Sequence, residues 1–280
     1  MRQIQFGTEQ VSALGLGTWH LGEGNQQQTE QELAALKLGL QGGINVIDTA
    51  EMYGEGRAEI LVGRALRDVQ RDNVFLISKF YPHHATPALM KKSLTASLKR
   101  LGTDYLDLYL LHWRGNTPLQ ETVTGLEQLQ QAGYIRHWGV SNFDLVDLQE
   151  LWTTENGRHC FANEDLYNLG SRGVEFSVLP WQQQRQIAFI GYAPFGSEHG
   201  DFFQVKPALK ALAAAKGVSV QQVMLAWTLQ QGYLTIPKAG QPAHMQANLA
   251  ALQLTLSAAE IHQLEQDYPA PTRKQGLDVI

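Results

Sequence analysis

Asp48, Tyr53, Lys79 and His112 have the types and the placement to carry proton chemistry. Asp48 ends the short run Ile44-Asn45-Val46-Ile47, and Tyr53 follows within GINVIDTAEMYG, Gly43 to Gly54. Side chains alternate along a strand, so Asp48 extends the face of Ile44 and Val46, where a carboxylate is costly without a partner. Lys79 continues the face of Phe75 and Ile77 in VFLISK, and His112 that of Leu106, Leu108 and Leu110 in YLDLYLLHW. A phenol with an ordinary pKa of about 10 gives up its proton poorly near neutrality unless a cation stabilises the phenolate. Lys79 is the candidate cation and Asp48 the anion that keeps it charged. His112 is the donor that holds a substrate oxygen beside Tyr53. The set suits proton delivery to a carbonyl oxygen. No Ser or Cys is paired with a base, so acyl-enzyme hydrolysis fits poorly. The plainer alternative is an Asp-Lys ion pair closing a rim, with Tyr53 packing and His112 bonded locally.

The elements that must bring these residues together alternate strand and helix. IQF and VSAL, around Gly7 to Gln10, read as an N-terminal β-hairpin. Strands follow at Leu14 to Trp19, INVID, VFLISK, YLDLYLLH, YIRHWGV, His159 to Tyr167, IAFIGYA and YLTIP. Between them helices are predicted from Thr29 (capped by Thr29 with Glu32), over Arg57 to Leu66, from Thr86-Pro87 with Thr86 as cap, and over Pro118 to Gln131 and Leu145 to Trp152. Further helices are predicted over Gly173 to Gln184, Pro207 to Lys216, Val220 to Gln231 and Pro242 to Leu252, and over Ser257 to Tyr268 with a Ser257–Glu260 capping box. Eight strand-helix units in one chain predict an α/β fold, a (β/α)8 TIM barrel with extra C-terminal helices, as one domain over residues 1–280. In that architecture active sites lie where strands exit into loops, and Asp48, Lys79 and His112 all fall at exits.

Composition sets the outer limits. With 280 residues, 44% hydrophobic, the chain can bury a large core. A formal charge of −5 and scattered basic residues exclude a nucleic-acid track or an anionic-membrane patch. The lone Cys160 allows no internal disulfide and reads as a core thiol in a reducing compartment. No signal-peptide run opens the sequence and no long apolar stretch spans a bilayer, so a cytoplasmic protein is expected, with monomer the default. His83-His84 reads as a loop rather than a metal pair, and no metal is expected.

GLGTW, IDTAEMYG, ISKF, LLHW, GVSNF and TIPKA, in this order across nearly the whole chain, resemble the aldo-keto reductase family. The closest resemblance is to its bacterial members that reduce methylglyoxal, including the ending YPAP with a short tail. The resemblance implies Asp48, Tyr53, Lys79 and His112 as a catalytic tetrad, with Tyr53 as general acid toward aldehydes and ketones. It implies NADPH (NADP+) as cofactor, with NADH possible. Thr18, Ser141, Asn142 and Glu164 correspond to contacts around the nicotinamide, and Tyr192 to the residue stacked on its ring. Phe195, Gly196 and Ser197 fall near the pyrophosphate, and Lys238, Ala239, His244 and Asn248 at the adenosine phosphate. Trp19, Phe80 and Trp113 match positions that wall the substrate pocket.

Two residues depart from the family pattern. Glu164 stands where a glutamine is usual; an ionised carboxylate there would favour the positively charged oxidised ring and tighten NADP+ relative to NADPH. His244 stands where an arginine often grips the 2′-phosphate. The chain ends soon after the last predicted helix, which predicts an open pocket for small or varied aldehydes. Two other classes stay open: a barrel lyase forming a Schiff base on Lys79, and a cofactor-binding sensor or interaction subunit.

Overall fold

The computed structural model describes residues 1–196 and 203–280. A β-hairpin of β1 (Gln3–Phe6) and β2 (Glu9–Ser12) precedes eight parallel strands: β3 (Gly15–Gly17), β4 (Val46–Asp48), β5 (Phe75–Phe80), β6 (Leu106–Leu111), β7 (Ile135–Ser141), β8 (Ala162–Leu166), β9 (Ala188–Tyr192) and β10 (Leu234–Ile236). These pair in chain order from β3 to β10. Parallel bridges Leu14–Thr235 and Gly17–Lys238 bring β10 back to β3, so the expected (β/α)8 barrel is what the chain forms.

Alternation along each strand divides the core in two. Val46, Phe75, Ile77, Leu108, Leu110 and Ile190 fill the barrel interior, and the hairpin's Phe6 and Val11 close its lower end. Leu76, Phe80, Tyr109, Leu111 and Trp138 point the other way, into the layer under the helices. Ile44, before the start of β4, and Leu106, at the start of β6, pack with that outer layer.

The helices are α1 (Gln26–Gln41), α2 (Arg57–Leu66), α3 (Pro87–Leu101), α4 (Leu119–Gln131), α5 (Leu145–Thr153), α6 (Val178–Gln183), α7 (Pro207–Lys216), α8 (Val220–Gln230), α9 (Pro242–Ala251) and α10 (Ala258–Asp267). α1 starts earlier than expected, because Asn25 and Gln28 form its capping box. Glu32, assigned to that cap from sequence, instead accepts a bond from the Gly22 amide at 2.8 Å. Thr86 makes no side-chain cap; Pro87, at the first turn, sets that helix start alone. The helix expected over Gly173 to Gln184 is a 3-10 turn at Gly173–Glu175 followed by the short α6. Pro180, lacking an N–H, is tolerated only within a first turn and prevents one continuous helix. The sixth barrel strand likewise begins at Ala162, after a 3-10 turn at Gly157–His159. The Ser257–Glu260 capping box opens α10 as expected. Among the described residues no helix is long and apolar enough to cross a membrane.

Candidate active site

Asp48 is the last residue of β4 and Lys79 lies one residue before the end of β5; both point into the barrel and both are almost wholly buried. Lys79 Nζ donates to Asp48 Oδ1 at 2.7 Å and to Oδ2 at 2.6 Å. It also reaches the Thr49 carbonyl at 3.3 Å and the Tyr53 hydroxyl at 3.2 Å. Tyr53 comes back over the strand ends because the chain turns tightly there, with Gly54, Glu55 and Gly56 all at positive φ. Glu51 anchors that turn to the next unit by accepting from the Tyr81 amide at 2.7 Å and from Ser93 Oγ. His112 leaves β6 with its ring edge-on to Tyr53, centroids 5.7 Å apart. Thr18 Oγ1 donates to the Asp48 carbonyl at 2.8 Å and ties the exit of β3 to that of β4.

A further group joins this cluster. Glu164, on β8, places Oε1 3.3 Å from Lys79 Nζ, so one lysine faces two carboxyls. Burial works against the charge on Lys79, but Asp48 and then Glu164 more than offset it and hold the ammonium form above the usual lysine range. Burial raises the Tyr53 phenol, with Lys79 acting against it. Burial, and after it Lys79, lowers His112 well below the usual histidine range, so the imidazole is neutral. Burial and the neighbouring Asp48 push Glu164 well above the usual carboxylate range. Glu164 thus sits against Lys79, in a setting that favours its neutral form over the ionised one considered from sequence.

These groups open onto a cavity of about 440 Å³. Asp48, Tyr53, His112 and Glu164 line it at one end, with Trp19 and Met52 beside them. Ser141, Asn142 and Tyr192 follow, and Phe195, Gly196, Lys238 and His244 continue it. Asn142 adopts φ 58° and accepts from the Tyr192 hydroxyl at 2.7 Å while its amide donates to the His112 carbonyl at 3.0 Å. Ser141 Oγ donates to the Glu164 carbonyl at 2.9 Å. The exits of β6, β7, β8 and β9 are thus cross-linked along one wall.

Some expected site residues lie elsewhere. Phe80 alternates to the outer face of β5 and packs on Tyr109, so it does not wall the cavity. Trp113 stands beside the cavity rather than in its wall, its ring centroid 5.0 Å from that of His112. Ala239 is part of the outer core. Asn248, one turn beyond His244 on α9, is buried behind the cavity, its Nδ2 without a partner among the described residues. Ser197 falls outside the described residues. His83 and His84 form a 3-10 turn in which His84 Nδ1 pairs with Glu51 at 2.8 Å. The tail also takes part in the cavity. Beyond α10 the chain passes Asp144, 3.7 Å from Lys274, and brings Ile280 to the cavity wall. His20, Met52, Ala193, Pro194, Gln221 and Ile280 also line the cavity and were not foreseen.

The strand exits of this barrel bring an acid, a lysine, a phenol and an imidazole together beside one cavity, an arrangement suited to proton transfer to a bound ligand. Residues 13–268 match the model of the Aldo/keto reductase family, and the chain belongs to that family of oxidoreductases. Methylglyoxal reductase YeaE of Escherichia coli (strain K12) is 45% identical over 284 residues, covering 100% of this chain and 99% of its own. A crystal structure of an aldo/keto reductase from Klebsiella pneumoniae in complex with NADP and acetate superimposes with a TM-score of 0.93 at 48% identity, covering 99% of each chain. A second, of an aldo-keto reductase from the same organism in complex with NADPH, also gives 0.93 at 48%, covering 100% of this chain and 99% of that one.

Proposed function

We propose that this aldo/keto reductase uses NADPH to reduce small aldehydes and ketones to alcohols, 2-oxoaldehydes such as methylglyoxal among them, with Tyr53 as the general acid. The observation that carries the reading is the Tyr53 hydroxyl 3.2 Å from a buried lysine that Asp48 keeps charged. Lys79 stabilises the phenolate left behind when the Tyr53 proton goes to the substrate oxygen. His112, neutral and with Nδ1 lacking a partner among the described residues, holds that oxygen as a hydrogen-bond donor from Nε2.

The cavity suits a dinucleotide. Its wall includes both the acid group and Lys238 and His244, and Glu164 Oε2 is buried in it without a partner among the described residues. At the seam of β3 and β10, a Cβ on Gly17 would stand 2.6 Å from the Ile236 carbonyl, so that wall needs glycine. Ser141, Asn142 and Tyr192 would hold the nicotinamide end, with Lys238 and His244 at the phosphate end. A bound NADPH supplies the hydride. The similarity to YeaE and to the nucleotide-bound Klebsiella structures supports the same assignment.

Schiff-base chemistry fits the geometry poorly. Lys79 is charged, buried behind Asp48 and Tyr53, and absent from the cavity wall, whereas an amine nucleophile must be neutral and reachable. Burial also pushes the Cys160 thiol up to about 12, which makes it an inert core group rather than a nucleophile.

Fluorescence titration with NADPH and with NADH, followed by methylglyoxal while reduced-cofactor absorbance is monitored, tests the assignment. Tight NADPH binding and oxidation on adding aldehyde are expected. Failure to bind either nucleotide would overturn it.

A further inference from the structure

The surroundings of Glu164 show a charge imbalance that the reductase chemistry above leaves unused. Among the described residues Lys79 from β5 is the one cation facing it. Asp48 from β4 takes both oxygens to that lysine, at 2.7 and 2.6 Å, while Glu164 offers a single oxygen at 3.3 Å. The other groups around it bring no positive charge: His112 from β6 is neutral, the Tyr53 and Tyr192 phenols are un-ionised, Ser141 from β7 is uncharged, and Asp165 lies next along β8 on the opposite face. A second buried carboxylate without its own cation costs several kcal/mol, so one of the two carboxyls must keep its proton. Asp48 holds the lysine more closely, which leaves the proton to Glu164. Glu164 Oε2, buried and without a partner among the described residues, belongs to a side chain in the cavity wall.

Building on the nicotinamide reading, we propose that Glu164 is a proton-bearing positioning residue that exchanges its proton against the charge of the cofactor ring. As a neutral acid it donates and accepts, as an amide would, toward an uncharged ring, and it leaves the Asp48–Lys79 pair intact behind Tyr53. When the oxidised, positively charged ring binds, the Glu164 O–H bond breaks, the proton goes to solvent, and the carboxylate electron pair faces the new cation. The chain thereby distinguishes the two redox forms of its cofactor through one carboxyl. As pH rises the free acid is lost, a second anion stands beside Tyr53, and the phenol becomes a poorer proton donor.

Calorimetric titrations of the whole protein with NADP+ and with NADPH, each in two buffers of different ionisation enthalpy near neutral pH, count the protons released. Contacts at the phosphate end are common to both nucleotides, so the difference isolates the ring. NADP+ is expected to release more protons than NADPH, and Glu164→Gln is expected to abolish the difference. The ratio of the NADPH to the NADP+ dissociation constant should rise roughly tenfold between about pH 6 and about pH 9 in the parent and stay within about twofold in the variant, the effect of one charge near the ring. Equal proton release for the two nucleotides in the parent, or parallel pH courses in parent and variant, would overturn the inference while leaving the reductase assignment standing. Binding of neither nucleotide would overturn both. The parent's proton count needs no variant and decides the question even if Glu164→Gln does not fold.

Discussion

What single residues can do depends on which proton acceptors and donors remain uncommitted. Tyr53 has Lys79 behind it and the cavity in front, with Asp48 committed to the lysine and, on the proposed reading, His112 to an incoming oxygen. Tyr53→Phe keeps the ring and removes the proton, so reductive turnover should fall by about 100-fold or more, the contribution of a positioned general acid, with NADPH affinity retained. Steady-state rates alongside a fluorescence titration separate the two effects; a variant within a few-fold of the parent would take the role from Tyr53. On the proposed reading, Lys238 in the cavity wall would meet a 2′-phosphate. Lys238→Met should reduce NADPH affinity by roughly 10-fold to 100-fold, as for a lost hydrogen bond to a charged group, and leave NADH affinity nearly unchanged. Equal losses for both nucleotides would mean that Lys238 acts through packing.

Elements determine which of these residues can meet, and here the sequence was legible in one respect and opaque in another. Strand exits could be read because period-two alternation in runs such as VFLISK assigns Lys79 inward without knowledge of the rest. The same rule, followed one residue further, turns Phe80 outward, a step the aromatic character of the residue concealed. Loop contributions were hidden for a physical reason. His20 and Ala193 reach the cavity from backbone at φ 62° and 50°, a conformation their residue types do not announce, whereas asparagine at Asn142 tolerates it well. Gln221 and Ile280 arrive through tertiary approach of α8 and the tail, for which no local pattern exists. The pairing of Glu164 with Lys79 also depends on strands far apart in sequence. The seam between β3 and β10 gives the element-scale test. Gly17→Ala drives a Cβ toward the Ile236 carbonyl, 2.6 Å away, where the obstacle is backbone rather than a movable side chain. The strands must part, and the variant should lose about 1–3 kcal/mol of stability by urea unfolding, together with nucleotide affinity. An undisturbed unfolding midpoint would show that the seam yields without cost.

For the molecule as a whole, opening a cavity lined with ionisable groups at the top of an apolar barrel leaves some of them buried without full compensation, and this shapes stability against pH. β8 carries two such carboxyls in succession, Glu164 toward the barrel interior and Asp165 toward the outer layer. Asp165 accepts from Asn163 Nδ2 at 2.7 Å through one oxygen, and the other has no partner among the described residues. Burial raises it well above the usual carboxylate range. A group whose native pKa exceeds its unfolded value keeps a proton that the unfolded chain has lost. The stability it confers is therefore complete below the unfolded pKa of about 4 and is lost as pH rises toward the native value. His112 acts in the opposite sense, because its lowered native pKa removes stability as pH falls below the usual histidine range. The two effects together confine the native state from both sides. Asparagine at 165 can still accept from Asn163 and carries no charge to bury, so Asp165→Asn should match the parent near pH 4 and exceed it increasingly as pH rises. The gap should grow by up to about 1.4 kcal/mol for each pH unit until the native pKa is passed. Thermal or urea unfolding across that range measures it. Parallel stability curves would mean that Asp165 is ionised in the native protein, held by the backbone amides of Phe143 and Asn142 that face it.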